Sequence, residues 1–151
     1  MKIHWKKLLL CLAIPLAVGG LGALLSGGMS DYGAMVKPPL SPPGWVFPVV
    51  WSILYLLMGY ASYRVLETGN IKPLILYGLQ LLANFIWPLL FFGGEWFLLS
   101  FFCLIVLWVL IYLTIRAFSK VDETAGNLLI PYILWVTFAA YLNFGIYLFN
   151  P

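Results

Sequence analysis

Residues 97–118 read FLLSFFCLIVLWVLIYLTIRAF, a stretch in which Arg116 is the only charged residue. An α-helix rises about 1.5 Å per residue, so about 20 apolar residues cross the roughly 30 Å of hydrocarbon in a bilayer. Comparable apolar runs occupy residues 8–28, 45–66, 74–93 and 128–149. The pattern predicts an all-α integral membrane protein, with residues 1–151 forming a single bundle of five transmembrane helices.

The overall composition supports this prediction. Apolar residues make up 64% of the chain and charged residues 9%, whereas soluble domains have roughly 45–50% and about 25%. So little polar surface could not cover a water-soluble globule. A cleaved signal peptide is an alternative reading of residues 1–28, but Pro15 interrupts the apolar run and no small-x-small cleavage site follows it.

Lysine and arginine indicate which connections are cytoplasmic, because short loops rich in these residues stay inside the cell. Most lie before the first run or beside the second and fourth connections: Lys2, Lys6, Lys7, Arg64, Lys72, Arg116 and Lys120. Only Lys37 lies on the opposite side. We therefore expect a cytoplasmic N-terminus and an extracytoplasmic C-terminus. The net charge of +3 follows from this topology and indicates no nucleic-acid partner.

Residues 29–44 form the longest connection and contain Pro38, Pro39, Pro42 and Pro43. Proline fixes the backbone φ angle and lacks an N–H, so this stretch is restricted to extended or polyproline-like conformations. Such a loop could act as a stiff lid over one end of the bundle. In the alternative interpretation, the only role of the prolines is to prevent helix formation before the second run. The sequence favours neither interpretation.

The third run contains Gln80, Asn84 and Trp87. Spacings of four and three residues place these side chains on one helical face, which in lipid should point into the bundle. This face predicts a cavity with a polar edge. The alternative is an interhelical hydrogen-bond clamp that binds no ligand, with Asn143 of the fifth run as the natural partner.

Aromatic side chains indicate what such a cavity would hold. Trp51 and Tyr55 share a face of the second helix. Trp135, Ala139 and Asn143 share a face of the fifth helix. Rings from three helices are therefore predicted to converge on one hollow. A cavity walled by indole and phenol rings suits a large flat apolar ligand, and porphyrins and sterols both have this shape.

The middle of every predicted span lacks Asp, Glu, Lys, Arg and His. Proton relays and ion-coupled transport normally need such residues. The single histidine, His4, precedes the first span, so no imidazole can ligate a haem iron within the bundle. Paired carboxylates and base-activated Ser or Cys residues cannot be assembled there either. We expect no conventional catalytic residues, no metal site and no required cofactor.

Three separated blocks of sequence resemble the TspO/MBR family, which includes the translocator proteins and tryptophan-rich sensory proteins. The first block contains Lys37-Pro38, Pro42-Pro43-Gly44-Trp45-Val46-Phe47, Trp51, Leu54-Tyr55, Met58-Gly59-Tyr60 and Tyr63. The other two contain Asn84, Trp87-Pro88 and Phe91-Phe92-Gly93, and then Pro131-Tyr132, Trp135, Phe138-Ala139 and Leu142-Asn143. Together they extend over nearly the whole chain, in the family's order.

The resemblance implies a five-helix bundle, often a homodimer, that holds porphyrins such as protoporphyrin IX and, in some members, sterols. The implied function is tetrapyrrole binding within the membrane, for porphyrin transport, disposal or stress signalling. The family's motifs assign Tyr32 and Pro42 to a lid over the ligand cavity. The remaining implied ligand-binding residues are Trp51, Tyr55, Asn84, Trp87, Phe91, Trp135, Ala139 and Asn143.

Two alternative functions stay open. Some bacterial members are reported to promote light-dependent oxidative breakdown of bound porphyrin, and the resemblance would assign that role to Trp51 and Trp135. Alternatively, the bundle surface could serve a regulatory or assembly partner, with ligand binding incidental.

Three departures from the family pattern are visible. Asp31 stands where many relatives have Trp, so the lid could pack differently. Tyr147 is followed by no basic residue, which leaves the sterol motif of animal members unsupported and favours a bacterial-type member in a cell membrane. Gly78 stands alone where some relatives have a Gly-x-x-x-Gly dimer motif.

Overall fold

The long apolar runs form helices, because lipid offers no hydrogen-bonding partner to an exposed peptide group. The computed structural model of the chain describes residues 2–27 and 32–150. Its helices are α1 (Trp5–Leu25), α2 (Val46–Glu67), α3 (Pro73–Pro88), α4 (Phe97–Val121), α5 (Glu123–Leu128) and α6 (Ile130–Phe149). In this part of the chain five helical segments are long and apolar enough to cross a membrane, the fifth combining α5 and α6. The predicted all-α transmembrane fold is confirmed.

The helix bounds differ most from the sequence prediction near the two ends of the chain. α1 lies closer to the N-terminus than the predicted 8–28. The predicted turn before residue 128 is largely helical, because α4 continues to Val121 and α5 follows. The carboxylate of Asp122 accepts a hydrogen bond from the backbone N–H of Ala125 and so caps the N-terminus of α5.

At Pro88 the regular turns of α3 give way to a π-helical turn, Leu89–Gly93. Proline disturbs the preceding turn because it lacks an N–H and its ring crowds a carbonyl group, which is why a kink is expected here. The backbone N–H of Gly94 donates to the carbonyl of Leu89 at 3.0 Å, which closes the wider turn. Within this turn the ring of Phe91 stacks on Trp87, with 5.0 Å between centroids.

The helices form a closed ring. α1 packs against α2 and α3, α3 packs against α4, and α4 packs against α6. The ring closes between α6 and α2 through aromatic side chains such as Trp135 and Phe47, whose centroids are 5.7 Å apart. α1 is the least enclosed helix, with 17% of its most apolar window buried.

Gly59 allows α1 and α2 to meet backbone to backbone. A Cβ atom at this position would lie 2.6 Å from the carbonyl oxygen of Cys11 and 2.7 Å from the Cα of Leu12. No side chain fits at such distances, so glycine is needed for this approach. The two helices are therefore held together near the start of α1, and the remainder of α1 extends along α2 and α3.

Charged groups gather at the end of the bundle where α1 begins and α2 ends. The Nδ1 atom of His4 lies 2.6 Å from Oε2 of Glu67, and Nζ of Lys7 lies 3.7 Å from Oε1 of the same residue. The Nε of Arg64 donates to Oδ2 of Asp122 at 3.0 Å and links α2 to the cap of α5. This is the end that the distribution of lysine and arginine predicts to be cytoplasmic.

Large apolar side chains cover the outside of the ring. Leu24, Ile75 and Leu134 are 78%, 67% and 65% exposed, and many similar residues accompany them. Soluble monomers rarely expose contiguous apolar patches of more than a few hundred Å². Such a surface is suited to contact with lipid tails.

Candidate ligand-binding site

A cavity of about 460 Å³ lies between α1, α2 and α3. Ligand pockets commonly have volumes of about 300–1,000 Å³. Small residues of α1 leave this space open, and aromatic residues of α2, α3 and the π-helical turn form its opposite walls. Its principal lining residues are Gly19, Gly20, Ala23, Phe47, Pro48, Trp51, Ser52, Tyr55, Asn84, Trp87, Pro88 and Phe92.

The aromatic wall of this cavity is formed mainly by α2. The rings of Trp51 and Tyr55 are stacked, with 5.6 Å between centroids and 27° between planes. Gly19 of α1 faces the Tyr55 ring, and a Cβ atom at Gly19 would lie 2.5 Å from Cζ of that ring. Glycine at this position therefore lets the phenol lie between α1 and α3.

The predicted polar face of α3 forms the edge of the cavity and also joins helices. The Tyr55 hydroxyl donates to Oδ1 of Asn84 at 3.0 Å. Nδ2 of Asn84 donates to the Tyr132 hydroxyl at 2.7 Å, and that hydroxyl donates to Oε1 of Gln80 at 2.6 Å. Tyr132 and Gln80 are each 1% exposed. Asn84 therefore lies at the edge of the cavity and also joins α3 to α2 and α6.

A second polar network centres on Asn143, which is fully buried. Its Oδ1 accepts hydrogen bonds from Nε1 of Trp87 at 2.9 Å and from the Ser100 hydroxyl at 3.0 Å. Its Nδ2 donates to the backbone carbonyl of Phe97 at 2.8 Å. Asn143 is thus the predicted clamp partner, since its amide joins α6 to α3 and α4.

A smaller void of about 20 Å³ lies beside the main cavity and has room for about one water molecule. Phe47, Trp87 and Phe92 line both hollows and separate them. The other residues lining the small void are Tyr32, Phe91, Ala139, Leu142, Asn143 and Ile146. The single hollow predicted from the sequence is therefore divided in two by aromatic side chains.

Trp135 lies outside both hollows, so its predicted convergence with Trp51 is wrong. It lines an open groove of about 430 Å³ between α2 and α6, together with Val50, Leu54 and neighbouring apolar residues. Its ring packs edge-on against Phe47. Its Nε1 is buried and has no hydrogen-bond partner among the residues that the structure describes.

The reason lies in the helical face that α6 buries. That face contains Tyr132, Val136, Ala139 and Asn143, spaced by four, three and four residues. Trp135 comes one residue before Val136, which is a member of this series, and therefore lies at the edge of the buried face. Tyr132 was not among the predicted site residues, although its spacing of eleven residues from Asn143 places it on the same helical face.

The described part of the predicted lid is attached to α6. The Tyr141 hydroxyl donates to the carbonyl of Pro39 at 2.6 Å. The Asn150 side chain accepts from the N–H of Val36 at 3.1 Å and donates to its carbonyl at 2.7 Å. Gly145 leaves space for the ring of Pro38. The proline-rich segment therefore does more than prevent helix formation before α2, since it is bound to the C-terminal half of α6 and to Asn150.

Tyr32 stabilises this segment from within. Its hydroxyl donates to the carbonyl of Pro42 at 2.8 Å, and its ring meets Phe47 edge-on, with 5.0 Å between centroids. Nζ of Lys37 donates to the Tyr32 carbonyl at 3.1 Å and lies 4.8 Å from the ring centroid. Burial raises the pKa of the Tyr32 phenol, an effect partly offset by hydrogen bonding to Ser41. The expectation about Asp31 lies outside the described residues.

The predicted site residues are therefore distributed over several environments. Trp51, Tyr55, Asn84 and Trp87 line the main cavity; Tyr32, Phe91, Ala139 and Asn143 line the small void; Pro42 holds the lid; Trp135 lines the outer groove. Three further residues belong to the site without having been predicted there: Gly19, Phe47 and Tyr132. The main cavity offers aromatic stacking and a few amide and hydroxyl groups, and the described residues include no cluster of three or more His, Cys, Asp or Glu that could hold a metal ion.

Comparison with known proteins agrees with this architecture. The chain is 41% identical over 151 residues to the tryptophan-rich protein TspO of Chlorobaculum tepidum, covering 95% of this chain and 96% of the relative. It is 37% identical over 145 residues to the tryptophan-rich sensory protein of Cereibacter sphaeroides, covering 95% and 91%. It is also 37% identical over 139 residues to the translocator protein of Ovis aries, covering 87% and 82%.

The sequence pattern of the TspO/MBR family matches residues 11–148 of this chain. That match begins within the first candidate membrane helix, ends in the last turn of the fifth, and includes the aromatic cavity between α1, α2 and α3. The chain is therefore an integral, multi-pass membrane protein that belongs to the TspO/MBR family.

Proposed function

We propose that this protein binds a tetrapyrrole of the protoporphyrin IX type in the cavity between α1, α2 and α3. The observation that carries the proposal is the stacked pair of Trp51 and Tyr55 along one wall of that cavity. A flat conjugated ring gains both buried apolar area and stacking against such a wall. On the α1 side, Gly20 and Ala23 are small lining residues, and a Cβ atom at Gly20 would meet no atom within 4 Å, so this part of the cavity has space for a ligand.

The position of the cavity also supports uptake from the bilayer. Gly20 and Ala23 of α1 and Pro48 and Ser52 of α2 are lining residues that are themselves exposed. The cavity therefore opens between α1 and α2 on the lipid-facing side. An apolar porphyrin dissolved in the membrane could enter there without crossing water.

Capture of porphyrin from the bilayer would serve transport, disposal or stress signalling. Relatives of this chain are named translocator protein and tryptophan-rich sensory protein, and those names agree with such roles. A homodimer, a bacterial cell membrane as the location and a cytoplasmic N-terminus stay predictions. The lipid bilayer and the porphyrin are the two partners that this proposal requires.

Titration of the purified protein with protoporphyrin IX, followed by quenching of tryptophan emission, tests the proposal. Trp51→Phe should weaken binding by about twofold to tenfold, because an aromatic pair contributes about 0.5–1.5 kcal/mol beyond its buried area and phenylalanine keeps only part of the stacking surface. Trp135→Phe is the matched control, since Trp135 lies outside the cavity. Its dissociation constant should stay within about twofold of the parent value.

Two results would count against the proposal. One is the absence of saturable quenching by protoporphyrin IX. The other is equal weakening by Trp51→Phe and Trp135→Phe, which would show that the cavity between α1, α2 and α3 is not where the porphyrin binds. Dissociation constants are compared rather than quenching amplitudes, because the chain contains seven tryptophans that all contribute to the emission.

A further inference from the structure

The hydrogen bonds at the polar edge of the cavity form a chain that leads into the protein. It begins at Tyr55 on the cavity wall, passes through Asn84 and Tyr132, and reaches Gln80. Beyond Gln80 the chain ends at Met58, whose sulfur lies 4.0 Å from Nε2 of Gln80. Met58 is fully buried.

Such a chain can run in two directions, because phenols both donate and accept and an amide can present either its oxygen or its nitrogen. The group at the buried end selects one direction. A thioether sulfur accepts weakly and cannot donate, so the Gln80 amide must face Met58 with its N–H group. Its oxygen then accepts from Tyr132, Tyr132 accepts from Asn84, and Asn84 accepts from Tyr55.

The consequence appears at the cavity. The hydroxyl hydrogen of Tyr55 is committed to Asn84, and no group within residues 2–27 and 32–150 donates a hydrogen bond to the Tyr55 oxygen. Tyr55 and Asn84 both line the cavity, which places this hydrogen bond at the cavity edge and leaves the Tyr55 oxygen with an unused capacity to accept there. A ligand that donates to it would extend a chain of hydrogen bonds that polarise one another.

We propose that Tyr55 selects ligands that present a neutral O–H or N–H donor to the polar edge of the cavity. Met58 and Gln80 fix this preference from outside the cavity, as positioning residues. The inference rests on the proposed function and refines it. A porphyrin would bind with its carboxylates directed away from Tyr55, since a carboxylate oxygen placed there would face another acceptor.

A pair of flat fluorescent probes tests this preference. 1-Hydroxypyrene carries one O–H donor, and 1-methoxypyrene has the same ring system with an acceptor only. The parent protein should bind 1-hydroxypyrene about threefold to tenfold more tightly, as expected for one hydrogen bond. Tyr55→Phe should reduce this ratio to about one, and Tyr60→Phe, on an exposed part of the same helix, should leave it unchanged. Comparing variants in the same detergent cancels the different partitioning of the two probes.

The Gln80→Leu variant distinguishes the proposed positioning role of Gln80 from a purely structural role. Without the Gln80 oxygen, the Asn84 amide can flip, so that its oxygen accepts from the Tyr132 hydroxyl and its Nδ2 donates to Tyr55. The Tyr55 hydroxyl then becomes free to donate into the cavity. Binding of 1-methoxypyrene should rise to match that of 1-hydroxypyrene, although residue 80 does not line the cavity. A merely structural loss would weaken both probes equally and preserve the ratio.

The outcomes separate this inference from the proposed function. A ratio of about one in the parent protein, a ratio that persists in Tyr55→Phe, or an unchanged ratio in Gln80→Leu would each overturn the inference. So would failure of 1-hydroxypyrene to bind while protoporphyrin IX still binds. If neither the pyrenes nor protoporphyrin IX bind, the proposed function fails and the inference fails with it.

Discussion

Replacement of Gly59 by alanine tests the packing that holds α1 against α2. The added Cβ would lie 2.6 Å from the Cys11 carbonyl oxygen and 2.7 Å from the Leu12 Cα. Ordinary contacts of this kind are about 3.5–4.0 Å, so the two helices must separate by roughly 1 Å. Both obstructing atoms belong to the backbone, and no rotation of a side chain can relieve the overlap.

The cost of this change follows from two opposing terms. Overpacking a well-packed position costs about 1–3 kcal/mol. Alanine is favoured over glycine within a helix by about 0.5–1 kcal/mol. We therefore expect Gly59→Ala to lower the free energy of unfolding by about 0.5–2 kcal/mol. Because α1 is the least enclosed helix, the loss should appear first as its separation from the bundle.

Cys11 reports on this separation, because its own backbone forms the contact with Gly59. A maleimide dye that becomes fluorescent on reaction with thiols can follow the labelling of Cys11 during heating, in a Cys103→Ser background. Gly59→Ala should be labelled at a lower temperature than the parent protein. Gly78→Ala is the control, since a Cβ at this helical glycine of α3 would meet no atom within 4 Å.

The control should be as stable as the parent protein or more stable, because it gains helix propensity without overlap. If Gly59→Ala proves at least as stable as Gly78→Ala, the backbone contact between α1 and α2 is not as close as described here. The reasoning about a glycine-dependent helix approach would then be refuted.

Three further predictions concern the clamp, the lid and light. Asn143→Leu removes three buried hydrogen bonds, and each contributes about 0.6 kcal/mol in a membrane protein. The free energy of unfolding measured by denaturant titration should therefore fall by about 2 kcal/mol. An unchanged denaturant midpoint would contradict this prediction. The raised pKa of Tyr32 means that folding favours its neutral form. The contribution of Tyr32 to stability should therefore be complete below the ordinary pKa of 10.0 and be lost as the pH rises above it. Thermal midpoints of the parent protein should fall more steeply above about pH 10 than those of Tyr32→Phe, and parallel curves would be evidence against the lid contact. If illumination of the porphyrin complex in air yields new absorbing products, Trp51→Phe should slow their formation and Trp135→Phe should not; the reverse order would place the reactive porphyrin beside α6.

The fold could be predicted because lipid imposes a simple rule on the sequence. Residues 97–118 are apolar over a length that only a helix can carry across a bilayer, and the same holds for the other spans. The turn that became α5 was not predicted, because its polar residues resemble a loop in composition. The Asp122 carboxylate, which accepts a hydrogen bond from the Ala125 N–H, caps this short helix, and that contact depends on local geometry.

The site could be predicted only in part, for a physical reason. Intramembrane polar residues need partners, so Asn84 and Asn143 could be assigned to the interior from their type alone. Trp135 could not be assigned to the interior from its type alone, because an indole side chain packs equally well against lipid and against protein. Its side of α6 depends on how that helix is rotated relative to α2, which the type of residue 135 alone does not specify. The series that includes Tyr132 defines that rotation.

The attachment of the lid to α6 has a consequence for biogenesis. A ribosome delivers the spans to the membrane in order, so α1, α2 and α3 can surround the cavity before Tyr141 and Asn150 have been synthesised. The loop between the first two spans stays without its anchors during that interval. A newly made chain therefore passes through a stage in which the cavity between α1, α2 and α3 has formed but Val36 and Pro39 are not yet bound to α6.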